Sequence, residues 1–327
     1  MKHLTILVPD GEGNNLSSIA GAYKILTRAN AYWKSKHRRE VFKIQLAGTR
    51  KRVRFYDGLF SVQPHVNIAD IHKTNLIIIP SLNHNYESSV KRNQAVIEWI
   101  KAQYLKGAEV ASICTGAFLL ASSGLLDGRS CSTHWSAADD LKQKFPEVDI
   151  KMDKVITDEG GIYTNGGAYS FLNLLIYLIE KYYDRAAAIY CAKVFQIELD
   201  RKSQLSFMIF KGQKQHDDDL VRQAQEYIEH NANERISIEE LSSRLAVGRR
   251  NFDRRFIKAT GDTPLEYSQR VKIESAKRAL ENSHKTVNEV MYDVGYSDAK
   301  AFREVFRRIT GLSPVEYRNK YSKEIGV

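Results

Sequence analysis

The chain has 327 residues, a net charge of +10 and a pI near 9.3, too long for one small module and of ordinary size for two domains. Its three cysteines, Cys114, Cys131 and Cys191, stand far apart with no C-x-x-C pair or neighbouring histidine spacing, which argues against a disulfide framework and a metal site. The apolar stretch at the N-terminus is too short for a signal peptide, and no segment approaches the roughly eighteen apolar residues of a membrane helix, so a cytoplasmic chain with no membrane partner and no cofactor is expected.

Residues 1–190 alternate apolar strand-like runs with helical stretches. Strands are predicted at 4–8, 41–47, 76–79 and 109–113, and helices at 16–35 and 89–105. The run 76–79 is continuously apolar and ends at Pro80, as expected of a strand buried on both faces. This alternation predicts an α/β domain with a flavodoxin-like, doubly wound, mostly parallel sheet covered by helices. Between Arg28 and Arg54 ten basic residues stand against one acid, Glu40. A solvated helix end and strand rim accounts for such a cluster, and so does a surface for phosphate or for an acidic ligand.

At Ile113, Cys114, Thr115, Gly116 and Ala117 a predicted strand runs into an apolar helix through a sharp turn bearing the cysteine, the layout of a nucleophile elbow. A helix N-terminus and exposed amides at that place lower a thiol pKa. Cys114 and His134 are therefore candidates for a vestigial catalytic pair. Cys114, Thr115, His134 and Trp135 are candidates for the lining of a small-molecule pocket at the strand ends, where open α/β sheets bind ligands. A structural histidine and a core tryptophan are the alternatives at positions 134 and 135.

A linker is expected over 191–219 and a second domain over 220–327. That domain contains one helical unit twice, about 237–260 and 286–310. The segment from Ser237 to Tyr267 matches that from Thr286 to Tyr317 once one extra residue is allowed in the inner turn of the second copy. Each copy opens with a capping box, Ser237 with Glu240 and Thr286 with Glu289, and turns at Ala246, Val247 and Gly248 or at Gly295, Tyr296 and Ser297. It then enters a second helix, closes at Gly261 or Gly311, and restarts at Thr263 or Ser313 followed by Pro. Two short helices around a tight turn are the helix-turn-helix plan.

Phe252, Phe256, Phe302 and Phe306, at i, i+4 spacing, are expected to fill the core of each unit. The rest of each second helix is basic. Between Arg244 and Lys258 six basic residues stand against Asp253, and in the second copy four, Lys300, Arg303, Arg307 and Arg308, stand against Glu304. Such a helix suits the major groove of double-stranded DNA, with residues near its start on base edges and later cations on phosphate. Arg249, Arg250, Asn251 and Arg254 are assigned to the first reading surface, and Asp298, Lys300, Ala301 and Arg303 to the second. Arg255, Lys258, Arg307 and Arg308 are left to position the protein on the backbone. From Asp219 onward 20 basic residues face 17 acidic ones, so these local helix charges carry the argument and the global pI does not.

The segment from Gly295 to Arg318 resembles the signature of AraC-type transcription regulators, whose two helix-turn-helix units are joined by one long helix, here from Pro264 to about Asn282. The resemblance implies two recognition helices in successive major grooves, about 34 Å apart. The elbow, the run ASSGLLDG at 121–128, THW at 133–135, DEGGIYT at 158–164 and GGA at 166–168 resemble the PfpI-like (intracellular-protease-like) branch of the class I glutamine amidotransferase superfamily. The closest resemblance is to the version fused to AraC modules in the GlxA family of regulators, whose linker Arg201, Gln204 and Phe207 match. Active hydrolases of that superfamily place His directly after the Cys and an acid on the first loop. Here Thr115 follows Cys114, and the first loop offers Asp10 or Glu12. The turn after the middle strand is Pro80, Ser81, Leu82 and Asn83. A missing oxyanion donor costs about 3–4 kcal/mol of transition-state stabilisation.

The resemblance thus implies a transcription regulator, not an enzyme, that works as a homodimer with a small-molecule effector. Nitrogen-containing metabolites such as amino acids or quaternary amines are the effectors it suggests. A cysteine-dependent hydrolase or amidase with an appended DNA-binding module, and a constitutive DNA binder whose first domain only dimerises, are the alternatives.

Overall fold

Leu76–Ile79 is a strand with all four side chains buried, and it lies at the centre of a seven-stranded sheet, where helices cover both faces. Full burial of side chains of this size contributes about 1.5–3 kcal/mol each. In this computed structural model, residues 1–322 are described except 12, 84, 202 and 215, and contacts divide the chain into two units, Met1–Gln204 and Leu205–Val327.

The first unit runs β1 (Lys2–Leu7), α1 (Leu16–His37), β2 (Phe42–Gly48), β3 (Val53–Phe55), β4 (Phe60–Val62), β5 (Val66–Asn67), β6 (Leu76–Ile79), α2 (Tyr86–Arg92), α3 (Gln94–Leu105) and β7 (Glu109–Ile113). It continues through α4 (Ala117–Ser122), β8 (Ser130–Cys131), α5 (Ala138–Lys144), β9 (Asp149–Ile150), β10 (Ile156–Glu159), β11 (Ile162–Asn165), α6 (Phe171–Tyr182) and α7 (Arg185–Phe195). The sheet order is β10-β11-β7-β6-β1-β2-β5, parallel throughout except for the edge pair β10–β11. Leu76 and Ile78 face a core built with α1, α6 and α7, whereas Ile77 and Ile79 face one built with α3, α4 and α5. This is the mostly parallel sheet with helices on both faces that the sequence predicts.

The helix expected over 89–105 is two helices. Asn93, only 2% exposed, breaks them: its Oδ1 accepts from Asp10 N at 2.7 Å and its Nδ2 donates to Asp10 O at 3.0 Å. The break thus trades helix continuity for anchorage of the loop after β1. The sequence reading also passed over the short hairpin β3–β4, whose Val53 and Phe55 plug into the core.

The second unit is helical: α8 (Asp219–His230), α9 (Ile238–Arg244), α10 (Arg249–Thr260), α11 (Pro264–Asn282), α12 (Val287–Asp293), α13 (Ala299–Thr310) and α14 (Pro314–Tyr321). Full capping boxes form at Thr263, Thr286 and Ser313. At Ser237 only half of the expected box forms, with the hydroxyl accepting from Glu240 N at 3.3 Å.

The stretch 191–219 is not a free connector. Arg185–Phe195 is helix in the first unit, and Gln204, buried there, donates to Thr133 O at 3.0 Å. From Leu205 onward the chain is built into the second unit: Phe210 N donates to Glu274 Oε2 at 3.1 Å and Lys277 Nζ to Met208 O at 2.5 Å.

Candidate functional site

The repeat is longer than the helix-turn-helix pair. Val221, Ala224 and Ile228 of α8 have the same spacing as Ile273, Ala276 and Leu280 of α11, and all six are buried. Each set packs under its own pair of phenylalanines, Phe252 with Phe256 and Phe302 with Phe306. Glu229 and Glu281, one residue beyond each set, accept from Tyr267 Oη and Tyr317 Oη, both at 2.6 Å. Each unit is therefore a helix, a helix-turn-helix and a closing helix, and α11 serves as the last helix of one and the first of the other. That extension is visible in the apolar spacing of α8 and α11, a signal the sequence reading passed over.

The inner turns are equivalent in backbone but not in residue. Ala246 takes φ +51° where the second unit has Gly295 at φ +71°. Gly295 is required there: a β-carbon would lie 2.7 Å from Lys272 Nζ and 2.8 Å from Asn233 O. Gly261 and Gly311 close the second helices at φ +78° and +75°.

With Phe252 matched to Phe302, Arg250 corresponds to Lys300, Asn251 to Ala301, Asp253 to Arg303 and Arg254 to Glu304. The two helices share a scaffold and reverse charge at two successive positions, so they present different reading faces.

The twelve expected contact residues separate by what they already bind. Among the described residues, Arg250, Lys258, Lys300, Arg303 and Arg307 are exposed and their side chains make no ion pair or hydrogen bond. Arg249 is held by Asp253 at 3.0 Å and Glu239 at 3.1 Å, and Arg254 donates to Asn251 Oδ1 at 2.9 Å. Arg255 forks onto Asp218 at 2.8 and 2.6 Å, joining α10 to the start of α8. Arg308 donates to Gln269 of α11. Asp298 is the N-cap of α13: its Oδ1 accepts from Lys300 N at 2.7 Å and Ala301 N at 3.0 Å, and those bonds hold its carboxyl below the usual carboxylate range. Ala301 is half-buried on the same turn.

In the first unit, β7 ends at Ile113 and Cys114 turns the chain with φ +53°, the strained position of an elbow. Its N–H donates to Asn165 Oδ1 at 2.9 Å, and its carbonyl accepts from Thr133 Oγ1 at 3.1 Å. Contrary to expectation, the thiol pKa is raised. Cys114 is only 3% exposed, and burial outweighs hydrogen bonds from Ser81, Thr115 and the His134 backbone.

Thr115 follows Cys114 where the resemblance to active hydrolases implies His, and its hydroxyl binds the turn after β6. It accepts from Leu82 N at 2.9 Å and donates to Leu82 O at 2.5 Å. Ser81 N donates to Ser18 Oγ at 3.1 Å and Asn83 N to Gly13 O at 2.5 Å. All three amides of the turn are thus taken by the protein's own oxygens. His134, half-buried, turns its Nδ1 to Ser136 at 2.8 Å, with burial lowering its pKa; Trp135 stands beside it at 5.2 Å between ring centroids. Asp10 is paired with Arg50 at 3.0 Å, and Glu12 lies outside the described residues.

Residues 30–181 match the DJ-1/PfpI family and residues 241–320 a helix-turn-helix domain. The chain is 25% identical to the HTH-type transcriptional regulator GbdR of Pseudomonas aeruginosa over 68% of its own length and 60% of that protein's. It is 27% identical to the HTH-type transcriptional regulator GlxA of Rhizobium meliloti over 65% of its length and 66% of that protein's. The chain joins a DJ-1/PfpI domain to an AraC-type helix-turn-helix domain. A solved structure of a candidate transcriptional regulator from Vibrio parahaemolyticus covers 59% of the chain and 98% of its own, with TM-score 0.53 and 25% identity. The chain spans less than two thirds of GbdR's length.

In the DJ-1/PfpI domain a cavity of about 500 Å³ opens between the loop after β1, the approach to β3 and helix α2. None of Cys114, Thr115, His134 and Trp135 lines it. Among the described residues there is no group of three metal-binding side chains and no helix long and apolar enough to cross a membrane.

Proposed function

We propose that the chain is a sequence-specific transcription regulator of the cytoplasm. In this reading the DJ-1/PfpI domain (1–190) binds a small metabolite, and the AraC-type domain (220–327) binds promoter DNA as part of a homodimer. The observation that carries the reading is the set of five unpartnered cations, Arg250, Lys258, Lys300, Arg303 and Arg307, on the exposed faces of two equivalent helices. Such groups meet phosphates and guanine edges with no internal contact to break. Arg249 and Arg254 belong to the reading surface once released from Asp253, Glu239 and Asn251, whereas Arg255 serves the fold. An effector acts only through unequal affinity for two states of the protein.

The reading assigns no chemistry to Cys114. A buried thiol with a raised pKa is a poor nucleophile, and a turn whose amides are already bonded has no donor free for an oxyanion. Fluorescence anisotropy with duplex DNA tests the proposal: binding by the wild type, weakened for all sequences by Arg307→Gln and relaxed in base preference by Arg303→Ala, supports it. Indifference to both changes, or esterase or amidase turnover abolished by Cys114→Ala, defeats it.

A further inference from the structure

We propose that the cavity beside α2 is an anion site for a small metabolite carrying two negative charges, a dicarboxylate or a phosphate monoester. Three guanidinium side chains line it, Arg52 and Arg54 from the β3 strand region and Arg92 from the end of α2. None of the three makes an ion pair or side-chain hydrogen bond among the described residues. Among the described residues the one carboxylate lining the cavity, Asp10, is already met by Arg50 Nε at 3.0 Å. Glu87, on the neighbouring rim, is met by Lys91 at 2.8 Å and Lys144 at 3.6 Å. Among the described residues, the guanidinium charge of the cavity therefore has no internal counter-charge. Ser88 and Ser89 add hydroxyls to the wall.

The planar fork of arginine matches carboxylate and phosphate in two parallel hydrogen bonds, which selects these anions over halide. A volume of about 500 Å³ suits a small metabolite. The same lining repels a quaternary amine, so of the effectors suggested by family resemblance only acidic ones fit.

The site is held in shape from below. Asn93 clamps the backbone of Asp10 through the two bonds described above. Gly11, at φ +105°, lets the loop pass close to Arg92: a β-carbon there would lie 2.5 Å from Arg92 Nη1. Gly is thus demanded at position 11 by its backbone angle, and an added β-carbon would also push the guanidinium of Arg92 aside.

The inference names the site and the charge of the effector, and its regulatory meaning rests on the function proposed above. Isothermal titration of the intact protein without DNA, at about 0.15 M ionic strength, uses succinate and inorganic phosphate as probes and acetate as the singly charged control. Saturable binding of at least one dianion, with acetate silent, is expected. Arg54→Gln with Arg92→Gln should weaken it at least tenfold, with the tryptophan-detected melting transition unchanged as the check on folding; Gly11→Ala should weaken it too, with a cooperative transition retained at a lower midpoint. No saturable heat from either dianion overturns the site, as does heat that survives the double substitution. A double variant that loses only DNA affinity places these arginines on a nucleic-acid backbone and also overturns it. DNA binding is measured separately on the same samples: intact DNA binding without dianion heat sinks the site and leaves the regulator standing, and the reverse result sinks the regulator alone.

Discussion

Lys272 ties together the two helix-turn-helix units. It sits in α11 at 7% exposure and donates through Nζ to Glu234 O at 2.6 Å, before α9, and to Val294 O at 2.8 Å, at the end of α12. Lys272→Met keeps the stem and removes the ammonium. Each carbonyl left without its donor costs about 1–3 kcal/mol, and the ammonium's own burial penalty offsets part of that, leaving a net loss of about 2 kcal/mol at neutral pH. Burial pulls the Lys272 pKa from the usual 10.5 down to about 8. Between those values the unfolded chain still binds the proton and the folded one does not, so the wild type gains stability as pH rises. With solvent screening allowed for, the gain from pH 8 to about 9.5 is about 1 kcal/mol, and the gap to Lys272→Met widens by that amount. The two units are separable by signal, since Trp33, Trp99 and Trp135 all precede Gln204. Denaturant melts followed by far-ultraviolet circular dichroism should show the helical transition moving while the tryptophan transition stays in place. A helical transition that does not move, or a gap that narrows with rising pH, refutes the reasoning.

Ala246→Gly should stabilise the second unit by about 1 kcal/mol, because an exposed alanine at φ +51° carries left-handed strain that glycine lacks; a lower denaturation midpoint would count against it. Thr115→Val removes the hydroxyl that serves Leu82 N and Leu82 O, so the tryptophan transition should fall by about 2–3 kcal/mol with DNA affinity at low temperature retained. The logarithm of DNA affinity should fall with the logarithm of salt at a slope of about −1.8 per chain from Lys258 and Arg307, and no steeper than about −4.5 if the base-reading Arg250, Lys300 and Arg303 also meet phosphate; Arg307→Gln should make it shallower by about 0.9. Arg255→Gln, whose wild-type guanidinium is bound to Asp218, should leave that slope unchanged.

The sequence was most legible where one residue type meets one physical demand. The buried strand at 76–79, the glycines at 261 and 311 and the caps at Thr263, Thr286 and Ser313 all appear where pattern and chemistry put them. Pairing was less legible. Six basic residues between Arg244 and Lys258 read as one charged face, yet Arg249 and Arg255 are bound to Asp253, Glu239 and Asp218, and Asp218 lies 37 residues before its partner. At the elbow the motif announced the turn but not the sign of the thiol shift, because burial comes from elements distant in the chain. The cavity beside α2 was foreshadowed only as a basic stretch from Arg28 to Arg54; Arg92, which completes it, comes from a helix that follows the central strand in the sequence.

The central claim is that one chain sets two unlike recognition helices into successive major grooves. Duplexes selected from a random pool by the intact protein, then footprinted with hydroxyl radicals, test it most directly. The account predicts two protected patches about 10–10.5 base pairs apart on one face of the DNA, with unlike sequences beneath them. A pool that selection leaves unenriched, or a single protected patch, would contradict it.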